Sequence, residues 1–194
     1  MNESSKLLTV LSNKYGNNLV LSDNRTFSPT TNDAYDLFNI LNAYVFHGKL
    51  PKCEICCSSY ADIISKLQSL KLTVPSTNKF YGMFRVVVDD DNLHTMDDEI
   101  VYLNKLIFIN TSLLKNSNFM FMCSSLCHEM IHLYGTLYGE EPLCDKIYIL
   151  YRKYVDVHTS PTFIQFKRKA NDMGLTVIND ASGLNFSELN TEAF

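Results

Sequence analysis

Residues 119–135, FMFMCSSLCHEMIHLYG, constrain this chain more than any other stretch. Apolar side chains fall on every side of a helix drawn through it. Phe119, Met122, Cys123, Leu126 and Leu133 share one face, and Phe121, Cys127, Met130, Ile131 and Tyr134 cover the others. A helix apolar all round is a core helix, so the rest of the fold has to be built around this one. Within it stand His128, Glu129 and His132. Positions i and i+4 of a helix stack on one face, which brings the two imidazoles together one turn apart. Two neutral imidazoles so placed can share a zinc ion, and a glutamate beside the first can reach a water on that ion. Zinc lowers the pKa of such a water to about 7, so a carboxylate can deprotonate it for attack on a carbonyl. Glu129 is the only acidic residue of the segment, so the role of base falls to it. The competing account is a chance match on a buried helix. Burial itself argues against that account, because imidazole and carboxylate groups on an apolar helix cost several kcal/mol unless partnered.

With 194 residues, 46% of them hydrophobic, the chain can build one well-cored domain but not two comfortable ones. A net charge of -4 gives the whole molecule no electrostatic footprint for nucleic acid, so any DNA contact needs a local patch. The N-terminal MNESSKLLTVLSNKYG lacks the apolar core and cleavage site of a secretory signal. No run approaches the roughly 18 apolar residues of a membrane span. A cytoplasmic location is therefore expected, with the six cysteines (53, 56, 57, 123, 127 and 144) as reduced, structural thiols. Cys53-x-x-Cys56 is half of a zinc knuckle or redox pair, but no second Cys-x-x-Cys completes a four-sulfur site. Abundant Asn and an excess of Lys over Arg fit an AT-rich genome, viral genomes among them.

Leu7, Leu8, Leu11 and Tyr15 recur at helical spacing over 4–15, and the polar stretch 16–32 reads as a loop. A helix is expected over 33–46, with Thr31, Asn32 or Asp33 as cap and Leu37, Ile40, Leu41, Tyr44 and Val45 as its apolar stripe. Gly48 then breaks it. Residues 52–58 have strand content, 60–72 suit a helix, and 80–88 give the clearest strand signal. The acidic run Asp89, Asp90 and Asp91, with Asp97, Asp98 and Glu99, lacks the glycine and spaced glutamate of a calcium loop and reads as a solvated connection. His47 and His94 read as packed or surface residues. Two further strands are expected at 100–103 and 106–110, separated by Asn104-Lys105. Ser117 or Asn118 caps the central helix. Another helix suits 143–154, and Ser160-Pro161 opens a last one that Gly174 stops. Lys167, Arg168 and Lys169 face outward from it, and the tail from 179 is expected to be loose. The pattern predicts an α+β fold: a small antiparallel sheet packed on helices, with a buried, zincin-like His-Glu-x-x-His helix.

A catalytic zinc needs a third protein ligand and an open position. His128-Glu129-x-x-His132-x-x-Gly135-x-x-Tyr138 is one residue short of the metzincin pattern, which wants His or Asp where Tyr138 stands. A glutamate ligand would have to come from a downstream helix. Glu140 and Glu141 are too near, and nothing suitable follows before Glu188. His158, 26 residues beyond His132 and two before the Ser160 cap, is the remaining choice.

Taken together, several stretches resemble the SprT-like metalloproteases, the family of bacterial SprT and the Spartan DNA–protein crosslink proteases. DLFNILNAYVFHGKLP resembles the family's opening helix and turn, KFYGMFRV its strand with a small-Gly pair, and LIFINTSLL the segment before the motif helix. CHEMIHLY matches the motif helix, and VHTSPTFIQFKRKA resembles the segment that carries the third ligand. The sequence departs from the family at Thr159, where a glycine is usual, at Phe163, one residue late, and in the longer gap between His132 and His158. The resemblance implies an extension over 1–32, a SprT-like domain over 33–178 and a flexible tail over 179–194. It also implies a zinc-dependent peptidase, with His128, His132 and His158 on the metal and Glu129 as general base. Relatives act on proteins bound to DNA, and Arg152, Lys153, Lys167, Arg168 and Lys169 are the basic residues available for such a contact. The alternative function is a non-proteolytic, zinc-stabilised module that binds protein or DNA, for which Glu129 would have no use.

Overall fold

A computed structural model describes residues 3–22, 25–75, 79–89, 91, 93–139, 141 and 157–177. The helix expected over 143–154, the tail, Cys144, Arg152 and Lys153 lie outside these residues. In chain order the elements are α1 (Glu3–Tyr15), α2 (Asn17–Val20), α3 (Thr31–Tyr44), β1 (Glu54–Ser58), α4 (Tyr60–Ser69), β2 (Gly82–Val88), β3 (Tyr102–Asn110), α5 (Thr111–Leu114) and α6 (Phe119–Tyr138). A 3₁₀ turn, Val157–Thr159, then leads into α7 (Pro161–Asp172). The fold is mixed α and β, with a three-stranded sheet packed on helices.

Helix starts follow local hydrogen-bond chemistry. The cap of α3 is Thr30, one residue before the expected candidates, and it forms a reciprocal capping box with Asp33. The Asp33 N–H donates to Thr30 Oγ1 at 3.2 Å, and the Thr30 N–H donates to Asp33 Oδ2 at 2.9 Å. Asn118, the expected alternative to Ser117, caps α6 by accepting from the Phe121 N–H at 2.8 Å. Ser160 caps α7 in the same way, accepting from the Phe163 N–H at 3.1 Å ahead of Pro161. Gly174, at φ 82°, ends that helix in a left-handed conformation that costs glycine nothing. The stretch 16–32 is not all loop, since α2 lies within it.

The sheet differs from expectation in two linked ways. Residues 100–103 and 106–110 do not form two strands; β3 runs unbroken through Asn104 and Lys105, which pair with Val87 and Val86. With no glycine to supply a tight turn, that polar pair stays in the ladder. The sheet is therefore mixed rather than antiparallel. β3 lies in the middle, antiparallel to β2 from Gly82↔Ile109 to Val88↔Tyr102 and parallel to β1 from Glu54↔Leu106 to Ser58↔Asn110. The parallel pairing is possible because α4 and β2 separate β1 from β3 along the chain, giving the long connection that parallel strands need.

Alternation along β3 divides the core. Ile107 and Ile109 face the larger cluster with Ile55, α3 and α6, whereas Leu106 and Phe108 face α4 through Ile63 and Leu67. Leu7, Leu11 and Val20 join the larger cluster, so α1 and α2 belong to the same core as the central helix. α6 is buried along almost its whole length, and its polar residues are satisfied: Ser125 donates to the Phe121 carbonyl at 3.0 Å and Ser124 to the Thr176 carbonyl. Among the described residues no helix is long and apolar enough to cross a membrane.

Candidate metal centre

The expected site residues come together. His128 and His132 project from adjacent turns of α6 with their Nε2 atoms 3.1 Å apart. The 3₁₀ turn ahead of α7 brings His158 Nε2 to 3.3 Å from His128 Nε2. All three ligand atoms lie within 4.8 Å of one another, and among the described residues this is the one group of at least three metal-competent side chains so assembled. A tetrahedral ion with bonds of about 2.0–2.1 Å holds its nitrogen ligands about 3.3–3.4 Å apart, close to the two spacings seen. The donor set therefore fits a metal ion. Neutral imidazoles each carry one N–H and one lone pair, so three Nε2 atoms converging on one point is an arrangement a cation completes.

α7 holds His158 in place. Ser160 and Pro161 fix the start of the helix, and Phe163, fully buried one turn in, forms an apolar floor beneath the cluster. Its ring centroid lies 5.1, 5.4 and 4.9 Å from those of His128, His132 and His158.

Glu129 turns to the sheet side of α6 and is 3% exposed. The Phe84 N–H of β2 donates to its carboxylate. Burial pushes the carboxyl up to about 8, against the pull of the Arg85 guanidinium and the Phe84 bond, and Glu141 pushes further in the same direction. A cation on the neighbouring imidazoles would draw it back toward the ionised form. The carboxylate fits only because β2 begins with glycine. A Cβ at Gly82 would lie 2.8 Å from Glu129 Oε1 and 2.9 Å from its Cγ. Gly82→Ala is accordingly expected to leave metal binding within about twofold of wild type and to displace the carboxylate. Any Glu129-dependent activity should then fall at least about 10-fold, the effect of misplacing a reacting group by a fraction of an ångström. Metal titration alongside a rate measurement checks this.

One residue at the site was not expected. Glu141 Oε2 lies 3.3 Å from His132 Nδ1, and Glu141 is 3% exposed. Its nearness in sequence rules it out as a ligand from a following helix, but a carboxylate behind a ligand asks only for the turn at Gly139. Tyr138, at the metzincin position, is 57% exposed and donates to the Lys49 carbonyl at 3.2 Å.

The basic residues are less uniform than expected. Arg168 is exposed, but Lys167 and Lys169 are half-buried. Burial lowers the Lys167 pKa. Lys169 does not face outward as expected: its ammonium donates to the Val45 carbonyl and lies 2.6 Å from His47 Nε2, so it serves the C-terminal end of α3, where a cation is favoured. Cys53, Cys57 and Cys127 are pushed up to about 12, and Cys123 is also raised, all by burial, which keeps them thiols at neutral pH.

Compared with protein-family models, with curated proteins and with solved structures, the chain matches none.

Proposed function

We propose that the chain is a zinc-dependent endopeptidase of SprT-like type, working in the cytoplasm on proteins associated with DNA. The observation that carries this reading is the convergence of His128, His132 and His158 beside a buried Glu129 on the same helix. Zinc held by the three imidazoles supplies the Lewis acidity that polarises a peptide carbonyl and acidifies a water. Glu129 takes a proton from the attacking water and returns it to the amine nitrogen as the C–N bond breaks. The Phe84 N–H orients that carboxylate, and Gly82 leaves it room. A purely structural metal site gives no reason to bury Glu129, which costs a few kcal/mol for an ionised carboxylate even after partial compensation. The DNA-associated substrate class rests on the resemblance of the sequence, with Arg168 and Lys167 as the described cations nearest to that role.

The test is hydrolysis of a DNA-bound basic protein, with and without DNA, by protein loaded with one equivalent of zinc. Cleavage is expected to stop on chelation and to return on re-addition of zinc. A protein that takes up no zinc at micromolar concentration would overturn the reading.

A further inference from the structure

Glu141 lies beyond Gly139, the residue at which the chain leaves α6, and it folds back against the helix it has just left. The space it fills exists because position 135, inside α6, is glycine. A Cβ there would lie 2.8 Å from Glu141 Cγ and would overlap the carboxylate outright. Glycine weakens a helix interior relative to alanine, so its presence in the middle of the last turns calls for a reason. The returning carboxylate supplies one.

We infer that Glu141 is a positioning residue for the metal centre: it accepts the N–H of His132 Nδ1 and so turns the Nε2 lone pair of that ring toward His128 and His158. This inference rests on the zinc reading above. The geometry divides the two nitrogens of His132 cleanly, with Nδ1 3.3 Å from Glu141 Oε2 and Nε2 3.1 Å from His128 Nε2. A neutral imidazole carries a single N–H, so the proton on Nδ1 leaves Nε2 free to bind. The other tautomer would aim its proton into the cluster of ligands and leave Nδ1 as a second acceptor facing a carboxylate. A carboxylate behind a ligating imidazole also fixes the plane of the ring and raises its basicity. Gly135 belongs to the same device, because it is what admits the carboxylate to Nδ1.

The test compares wild type with Glu141→Ala, Glu141→Gln and Gly135→Ala. Zinc affinity is measured by chelator competition, and the His132 tautomer by nitrogen NMR of the zinc-free protein. Zinc affinity is expected to fall about 10–100-fold in Glu141→Ala and Gly135→Ala, and less in Glu141→Gln, whose amide oxygen still accepts from Nδ1. The Nδ1–H form should dominate in wild type and in Glu141→Gln and give way to a mixture in Glu141→Ala. Gly135→Ala keeps the carboxylate but displaces it, so it carries the same expectation should Glu141→Ala not fold. An unchanged tautomer, or unchanged zinc affinity, in a folded variant would overturn the inference while leaving the zinc site standing. If wild type binds no zinc, the zinc reading fails and the tautomer alone decides the role of Glu141.

Discussion

Glu129→Gln is expected to bind zinc as wild type does and to lose peptide hydrolysis by about 10²–10⁴-fold, the usual contribution of a positioned acid–base group. Glutamine keeps the shape of the side chain, and its amide oxygen can still accept the Phe84 N–H. It cannot take a proton from water. Folding should survive, because the wild-type carboxyl is the unfavourable member of the comparison. In the metal-free protein its pKa is raised from 4.5 to about 8, so the folded state holds the proton more tightly than the unfolded chain does. The stability that this adds is present in full below pH 4.5 and is lost as pH rises through about 8. A neutral amide has no such loss, so metal-free Glu129→Gln should melt no lower than wild type at pH 8. Zinc stoichiometry, melting temperature and cleavage rate together make the check, and an unchanged rate would overturn the mechanism.

Much of the helical part of the fold was legible in the sequence, and much of the sheet was not. Helix starts are local: Ser160-Pro161 and Asn118 carry their hydrogen-bonding partners within three residues. Sheet order depends on which strands meet across long stretches of chain. Asn104 and Lys105 read as a turn because they are polar within an apolar run. In the fold they lie where β3 extends past its ladder with β1, which begins only at Leu106. Nothing in the sequence marks that point, although Asn104 does find a polar partner there, donating from Nδ2 to Glu54 Oε2 at 3.1 Å.

The site divides along the same line. His128, Glu129 and His132 follow from the period of one helix, so their spacing alone placed the two imidazoles side by side with the carboxylate next to the first. Gly82 and Gly135 each make room for a carboxylate that comes from elsewhere in the chain. A glycine inside a strand or helix signals only that something approaches closely, not what approaches. Glu141 was read solely as a ligand candidate, and its short distance from the motif counted against it. That same distance is what lets it fold back behind His132.

His158→Ala is the other large effect. Three protein ligands with one open position make a catalytic zinc site, and two imidazoles on one helix do not. Structural zinc sites with four ligands bind with about 10–16 kcal/mol, or about 2.5–4 kcal/mol for each ligand, so losing one should weaken zinc about 10²–10³-fold. His158 is only partly buried. Phe163 behind it is fully buried, and Ser160 still caps α7, so the helix should stay docked in the variant. Zinc titration should therefore separate a lost ligand from a lost fold: circular dichroism unchanged and affinity reduced by the stated factor. His47 and His94 offer internal controls, since His47 is exposed beside Lys169 and His94 is exposed with its backbone N–H donating to Asp98. Alanine at either should leave zinc affinity within about twofold, because neither ring reaches the three converging nitrogens. Full affinity in His158→Ala would mean that the metal, if bound, sits on His128 and His132 with a different third partner, and the convergence seen at Nε2 would then have another cause.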